Sequence, residues 1–144
     1  MYPPLTTDFD RQVRAKTHAA HTSLCVAAGK RFSKYLKSCI GPWITSLQDI
    51  DRQVSKAATE SFNTVFDTDK KKEIIWKKYS EDVINYISDI LTNETAKTIS
   101  TCPRFGGVLM TGDERFMSSE DMDTRFALVL GGCLATLALL AGIL

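Results

Sequence analysis

The sequence predicts an all-α fold assembled from stacked helical repeats, and three observations carry that prediction. A tetrapeptide recurs at an offset of 41 residues, as Asp10-Arg11-Gln12-Val13 and Asp51-Arg52-Gln53-Val54. Apolar residues downstream of each copy recur at about 100° per residue, the helical period. No segment shows the sustained alternation of a half-buried strand. A period of about 40 residues with two helices per unit is the signature of HEAT or armadillo repeats, in which each helical pair buries its face against the next. The expectation is an α-solenoid fragment. HEAT/ARM-like repeats occupy 1–100 and a loop or insertion occupies 101–120. An apolar C-terminal helix follows over 121–144, the start of a further repeat.

The first helix opens at Asp10, an acceptor for the free N–H groups of a helix N-terminus. Its apolar stripe is Val13, Thr17, Ala20, Leu24 and Ala27. A second helix carries Phe32, Tyr35, Leu36, Cys39 and Ile40 on one face. Gly41-Pro42 is expected to interrupt its ladder, because proline lacks an N–H and disfavours helix at the preceding residue. Trp43, Ile44 and Leu47 resume the pattern, with the indole packed between repeats. A third helix opens at Asp51 and places Val54, Ala57, Ala58, Phe62 and Val65 on one side. Asp67-Thr68-Asp69 starts a long fourth helix with Ile75, Tyr79, Val83, Tyr86, Ile87 and Ile90 inward. Turn signals cluster at Cys102-Pro103, Gly106-Gly107 and Gly112-Asp113. Ser118-Ser119-Glu120-Asp121 then supplies capping groups for the last helix.

The 144 residues suit one domain or a slice of a larger one. A net charge of +1 and 44% hydrophobic residues argue against disorder. That balance hides an asymmetry. Residues 1–56 hold nine Lys/Arg against four Asp/Glu, residues 57–125 hold nine against thirteen, and residues 126–144 hold none of either. The four cysteines are scattered without a C-x-x-C and only His18 and His21 are present, which excludes a zinc finger, a RING or a redox dithiol in these residues. Scattered thiols suit a reducing compartment. The first 25 residues include charges and no apolar core, so no signal peptide is expected. His18 and His21 are too few for a metal site. No Ser or Cys has a His–acid partner set, so no catalytic residue is expected here. Asn93-Glu94-Thr95 matches a glycosylation sequon, but a helix cap is the expected role of Asn93.

Several segments form an ordered series along the chain. They are Tyr2-Pro3, Asp10-Arg11-x-Val13-Arg14 and Gly29-Lys30-Arg31. Leu36-Lys37-Ser38-x-Ile40-Gly41-Pro42-Trp43 and Asp49-x-Asp51-Arg52-x-Val54 follow. Ala57-Ala58-x-Glu60-Ser61-Phe62, Tyr86-Ile87-Ser88-Asp89 and Asn93-Glu94-Thr95 complete it. Together they resemble the N-terminal region of the listerin family of RING-type ubiquitin ligases. The resemblance covers residues 2–100 and, more loosely, 113–141; residues 101–111 read as an insertion. It implies a cytosolic helical-repeat protein of ribosome-associated quality control. Its N-terminal region docks on large (60S) ribosomal subunits that hold a stalled peptidyl-tRNA, beside the factor that tails the nascent chain. A RING at the far end ubiquitinates that chain, and zinc is expected only in that RING, not in this segment. No cofactor or small-molecule substrate is implied here.

The basic set Arg11, Arg14, Lys16, Lys30, Arg31, Lys34 and Lys37 is the candidate contact surface. Cationic side chains neutralise RNA phosphates and release counterions. Arg11, Arg14, Lys30, Arg31 and Lys37 are the residues expected to touch the subunit or a protein on it; Asp10 and Asp51 are assigned to helix starts. Two other readings stay open. A charge-free helix of nineteen residues spans about 28 Å, close to a bilayer core, so 126–144 could be a tail anchor. The chain could also be a HEAT-type scaffold with an unrelated partner.

Overall fold

A computed structural model of the chain describes residues 2–101 and 119–143. Its helices are α1 (Tyr2–Leu5), α2 (Arg11–Ala28), α3 (Ser33–Ser46), α4 (Arg52–Val65), α5 (Asp69–Asn93), α6 (Ala96–Thr101) and α7 (Ser119–Ile143), with a 3-10 turn at Gly29–Phe32. No strand occurs among the described residues, and the all-α fold stands. The turn signals expected between 102 and 118 lie outside those residues.

The repeated tetrapeptide builds the same corner twice. Asp10 and Asp51 have nearly the same backbone (φ −77°, ψ 117° and φ −78°, ψ 117°) and both cap a helix. The Asp10 carboxylate accepts from Gln12 N at 2.7 Å, and that of Asp51 from Gln53 N at 2.9 Å. The match extends two residues upstream. Asp8 accepts from Asp10 N and Asp49 from Asp51 N, each at 2.8 Å. These carboxylates satisfy amide groups that a helix start leaves unpaired.

Helices α2 to α5 lie in two layers, α2 beside α4 and α3 beside α5, with α1 against α2 and α3. Val54, Ala58 and Phe62 of α4 and Ile75, Tyr79, Val83, Ile87 and Ile90 of α5 are buried as their spacing predicts. Thr68 caps α5 by accepting from Lys71 N at 3.3 Å. Trp43 is fully buried between the layers. Its ring meets His21 edge-on at 4.5 Å and Phe62 at 5.7 Å between centroids.

One expectation is sharpened and three need correction. Helix α3 carries Pro42 inside one continuous element, so the interruption expected there is the single backbone N–H that proline lacks. Thr45 Oγ1 donates to the Gly41 carbonyl at 3.0 Å and Ser46 Oγ to the Pro42 carbonyl at 2.8 Å. Gly41 serves packing instead. A Cβ there would sit 2.6 Å from the Tyr86 Cβ, so α3 and α5 approach this closely only because residue 41 has no side chain.

The inward face of α2 is also not its apolar stripe. Arg14, Thr17, His18, His21 and Cys25 are buried, while Ala20, Leu24 and Ala27 are exposed, Leu24 by 65%. Polar groups can be buried where partners meet them. Tyr2 stacks on His21 at 3.6 Å, and its hydroxyl is hydrogen-bonded to His18 Nδ1 at 3.2 Å. On α3, Tyr35 faces outward with 54% of its surface exposed. Asn93 caps nothing. It is the last residue of α5, and its amide donates to Asp89 Oδ1 at 2.8 Å. Thr95 instead accepts from Thr98 N in the first turn of α6.

Helix α7 is long and apolar enough to cross a membrane. One side of it packs against α3, α5 and α6, burying Cys133, Thr136 and Leu140. The opposite side, with Leu134, Ala135, Ala138 and Leu139, is exposed. Arg125 near its start is buried and donates from Nε to the Thr7 carbonyl at 2.7 Å, joining the two ends of the described fold.

Candidate functional site

No Asp or Glu stands between Asp10 and Asp49, a stretch that contains all seven candidate cations. The fold does not bring them to one place. Arg11 is exposed at the start of α2 and pairs with Asp51 at 3.5 Å. Lys30 and Arg31 lie at the other end of that 18-residue helix, about 27 Å away at 1.5 Å per residue.

Arg14 leaves the candidate set, because its side chain is engaged inside. It is 4% exposed. Its Nε and Nη2 donate to the two Asp49 carboxylate oxygens at 2.9 and 3.2 Å. Its Nη1 donates to the Asp8 and Phe9 carbonyls at 2.9 and 3.1 Å. One guanidinium thus fastens the first corner to the second, with four of its five N–H groups spent inside. Arg14→Ala is expected to lower stability by about 2–3 kcal/mol, since it strands the Asp49 carboxylate and two carbonyls. Urea melts at neutral pH measure the loss.

Lys16 is exposed in the first half of α2, and the other four cations form a corner beyond its end. Gly29 ends α2 with φ +53° and ψ −131°, a positive-φ conformation that glycine adopts without strain. The chain turns there, and Lys30, Arg31, Lys34 and Lys37 follow on exposed positions within eight residues. Lys30 and Arg31 also complement the negative end of the α2 dipole, a structural role that leaves their outer surface free. Lys37 lies 3.6 Å from Asp82 of α5. That carboxylate partly offsets one cation and leaves the others unopposed. The Lys34 Nζ sits 4.9 Å from the centroid of the Tyr35 ring.

Other chemistry is poorly supported. Burial pushes the Cys25 and Cys133 thiols up to about 12 and raises that of Cys39, so all three stay protonated. His18 and His21 are buried, and burial lowers both pKa values to about 4. No group of three His, Cys, Asp or Glu able to hold a metal occurs among the described residues.

A family model described as the N-terminal domain of the E3 ubiquitin-protein ligase listerin matches residues 1–142. The chain belongs to the listerin family. Curated listerins align with nearly all of it. That of Neurospora crassa is 31% identical over 135 residues, 94% of this chain. That of Schizosaccharomyces pombe is 27% identical over 140 residues, 97% of the chain. That of Saccharomyces cerevisiae is 26% identical over 138 residues, 95% of the chain. The chain spans 8% of the length of each of these listerins. In this listerin domain the surface to explain is the basic corner at Lys30–Lys37. Sequence reasoning found its cations and missed its tyrosine. A helical-period count assigns Tyr35 to the core, whereas its place inside a run of lysines signals the surface.

Proposed function

We propose that this domain is the docking end of a listerin-type ubiquitin ligase, and that it holds the ligase on large ribosomal subunits that carry a stalled peptidyl-tRNA. Its helices serve as the first units of a longer HEAT-like solenoid in the cytosol. A zinc-binding RING in another part of the longer protein ubiquitinates the nascent chain, beside the factor that tails that chain. The observation that carries this reading is the basic corner at Lys30, Arg31, Lys34 and Lys37, offset only in part by Asp82 beside Lys37, which suits a polyanionic surface such as ribosomal RNA. Arg11 contributes separately from the far end of α2. Helix α7 packs one side on α3 and α5, and in this reading a further helical unit of the longer protein covers the other side.

Co-sedimentation with purified large subunits over a salt series tests the reading. Lys30→Glu with Arg31→Glu is expected to weaken binding at least tenfold at low salt, with helicity unchanged. Arg11→Glu is expected to weaken it less, and binding should fall steeply as salt rises. Full binding by the double variant at low salt would discard the corner.

A further inference from the structure

We propose that Tyr35 is a stacking platform for an unpaired RNA base, and that the cations around it hold the flanking phosphates. The inference rests on the docking reading above and gives that surface its ligand chemistry.

Tyr35 is a large ring left 54% exposed on a helix with an adequate apolar face of its own, in Leu36, Cys39 and Ile40. Folding therefore does not need the ring in the core. The Lys34 ammonium lies 4.9 Å from the ring centroid. A flat base can stack on the aromatic surface, and the cation reinforces the same site by attraction to the ring and to a neighbouring phosphate.

The surroundings extend the site. Lys37 reaches Asp82, and Gly41 meets Tyr86, so α3 and α5 run in parallel at an offset of 45 residues. That register sets Lys34 level with Tyr79. Lys37 and Gly41 turn toward α5, so Tyr35, two residues and about 200° from Lys37, stands on the other side of α3, away from Asp82. Lys30, Arg31 and Lys34 lie within five residues of the ring along the chain, and no acidic residue of α2 or α3 interrupts them. Phosphate contacts alone do not distinguish a loop from a duplex. A stacking ring does, because only an unpaired base can leave its helix to meet it.

The probes are a fluorescein-labelled RNA hairpin with a wide unpaired loop, a blunt duplex of the same stem sequence, and polyglutamate as an acidic polypeptide. Anisotropy titrations use the full 144-residue chain. The hairpin is expected to bind about tenfold tighter than the duplex, the contribution of one stacked base. Tyr35→Ala should abolish that preference and leave the salt slope unchanged. Tyr35→Phe should keep the preference. Lys30→Ala with Lys34→Ala should weaken both RNAs and flatten the salt slope. An unchanged hairpin preference in Tyr35→Ala overturns the proposal, as does polyglutamate binding as tight as the hairpin.

Co-sedimentation with large subunits separates the two readings. If Tyr35→Ala sediments normally while its hairpin preference persists, stacking fails and docking stands. A hairpin preference that depends on Tyr35, without sedimentation of the natural chain, overturns docking and sustains stacking.

Discussion

Acidification from about pH 7 to about pH 4 is expected to remove roughly 6 kcal/mol of stability from this domain. Both histidines of α2 lie in its buried face, and burial lowers their pKa values from 6.5 to about 4. The unfolded chain takes up two protons below about pH 6.5 that the folded chain refuses. The stability tied to these rings is therefore complete above 6.5, declines as the pH falls, and is gone at about 4. Each ring accounts for about 3 kcal/mol, against a typical total of about 5–15. Protonation has no local remedy. Nε2 of both rings finds no hydrogen-bond partner among the described residues. Urea melts between pH 7 and 4 should show stability falling by up to about 2.7 kcal/mol per pH unit. His21→Phe keeps a flat ring against Tyr2 and removes one titration, so it should halve that slope. A flat profile through this window would place both rings in water.

Trp43→Ala is expected to cost about 3–5 kcal/mol. The indole is fully buried and meets Tyr2, His21, Phe62 and Phe66, so truncation opens a cavity where α1, α2, α3 and α4 converge. Trp43→Phe separates volume from polarity. The indole Nε1 has no partner among the described residues, so replacing it removes a buried, unsatisfied donor while keeping a ring. The phenylalanine variant should recover more than half of the loss seen with alanine. Denaturant melts that find less than about 1 kcal/mol for Trp43→Ala would contradict the burial of the indole.

How much of this was legible beforehand depended on whether a residue's partner lay close in the sequence. Asp10, Asp51 and Thr68 act on amide groups two or three residues away, and their capping roles could be read directly. The inward faces of α4 and α5 follow from apolar spacing alone. The inward face of α2 does not. Arg14 becomes a core residue through Asp49, and His18 and His21 through Tyr2, all partners that only the fold brings near. A hydrophobic period cannot see such pairs, so it sent Leu24 inward and Arg14 to the surface. The basic corner was legible as composition. Its separation from Arg11 was not, because the length of α2 matters only once the helix is known to be continuous.

The hydrogen bond from Arg125 to the Thr7 carbonyl has a consequence for how the domain comes apart. A linear array melts gradually, since each unit answers only to its neighbours. Here the first residues and the last helix hold each other across 118 positions of chain. Loosening one end thus removes a contact from the other, a link that nearest-neighbour stacking alone does not provide.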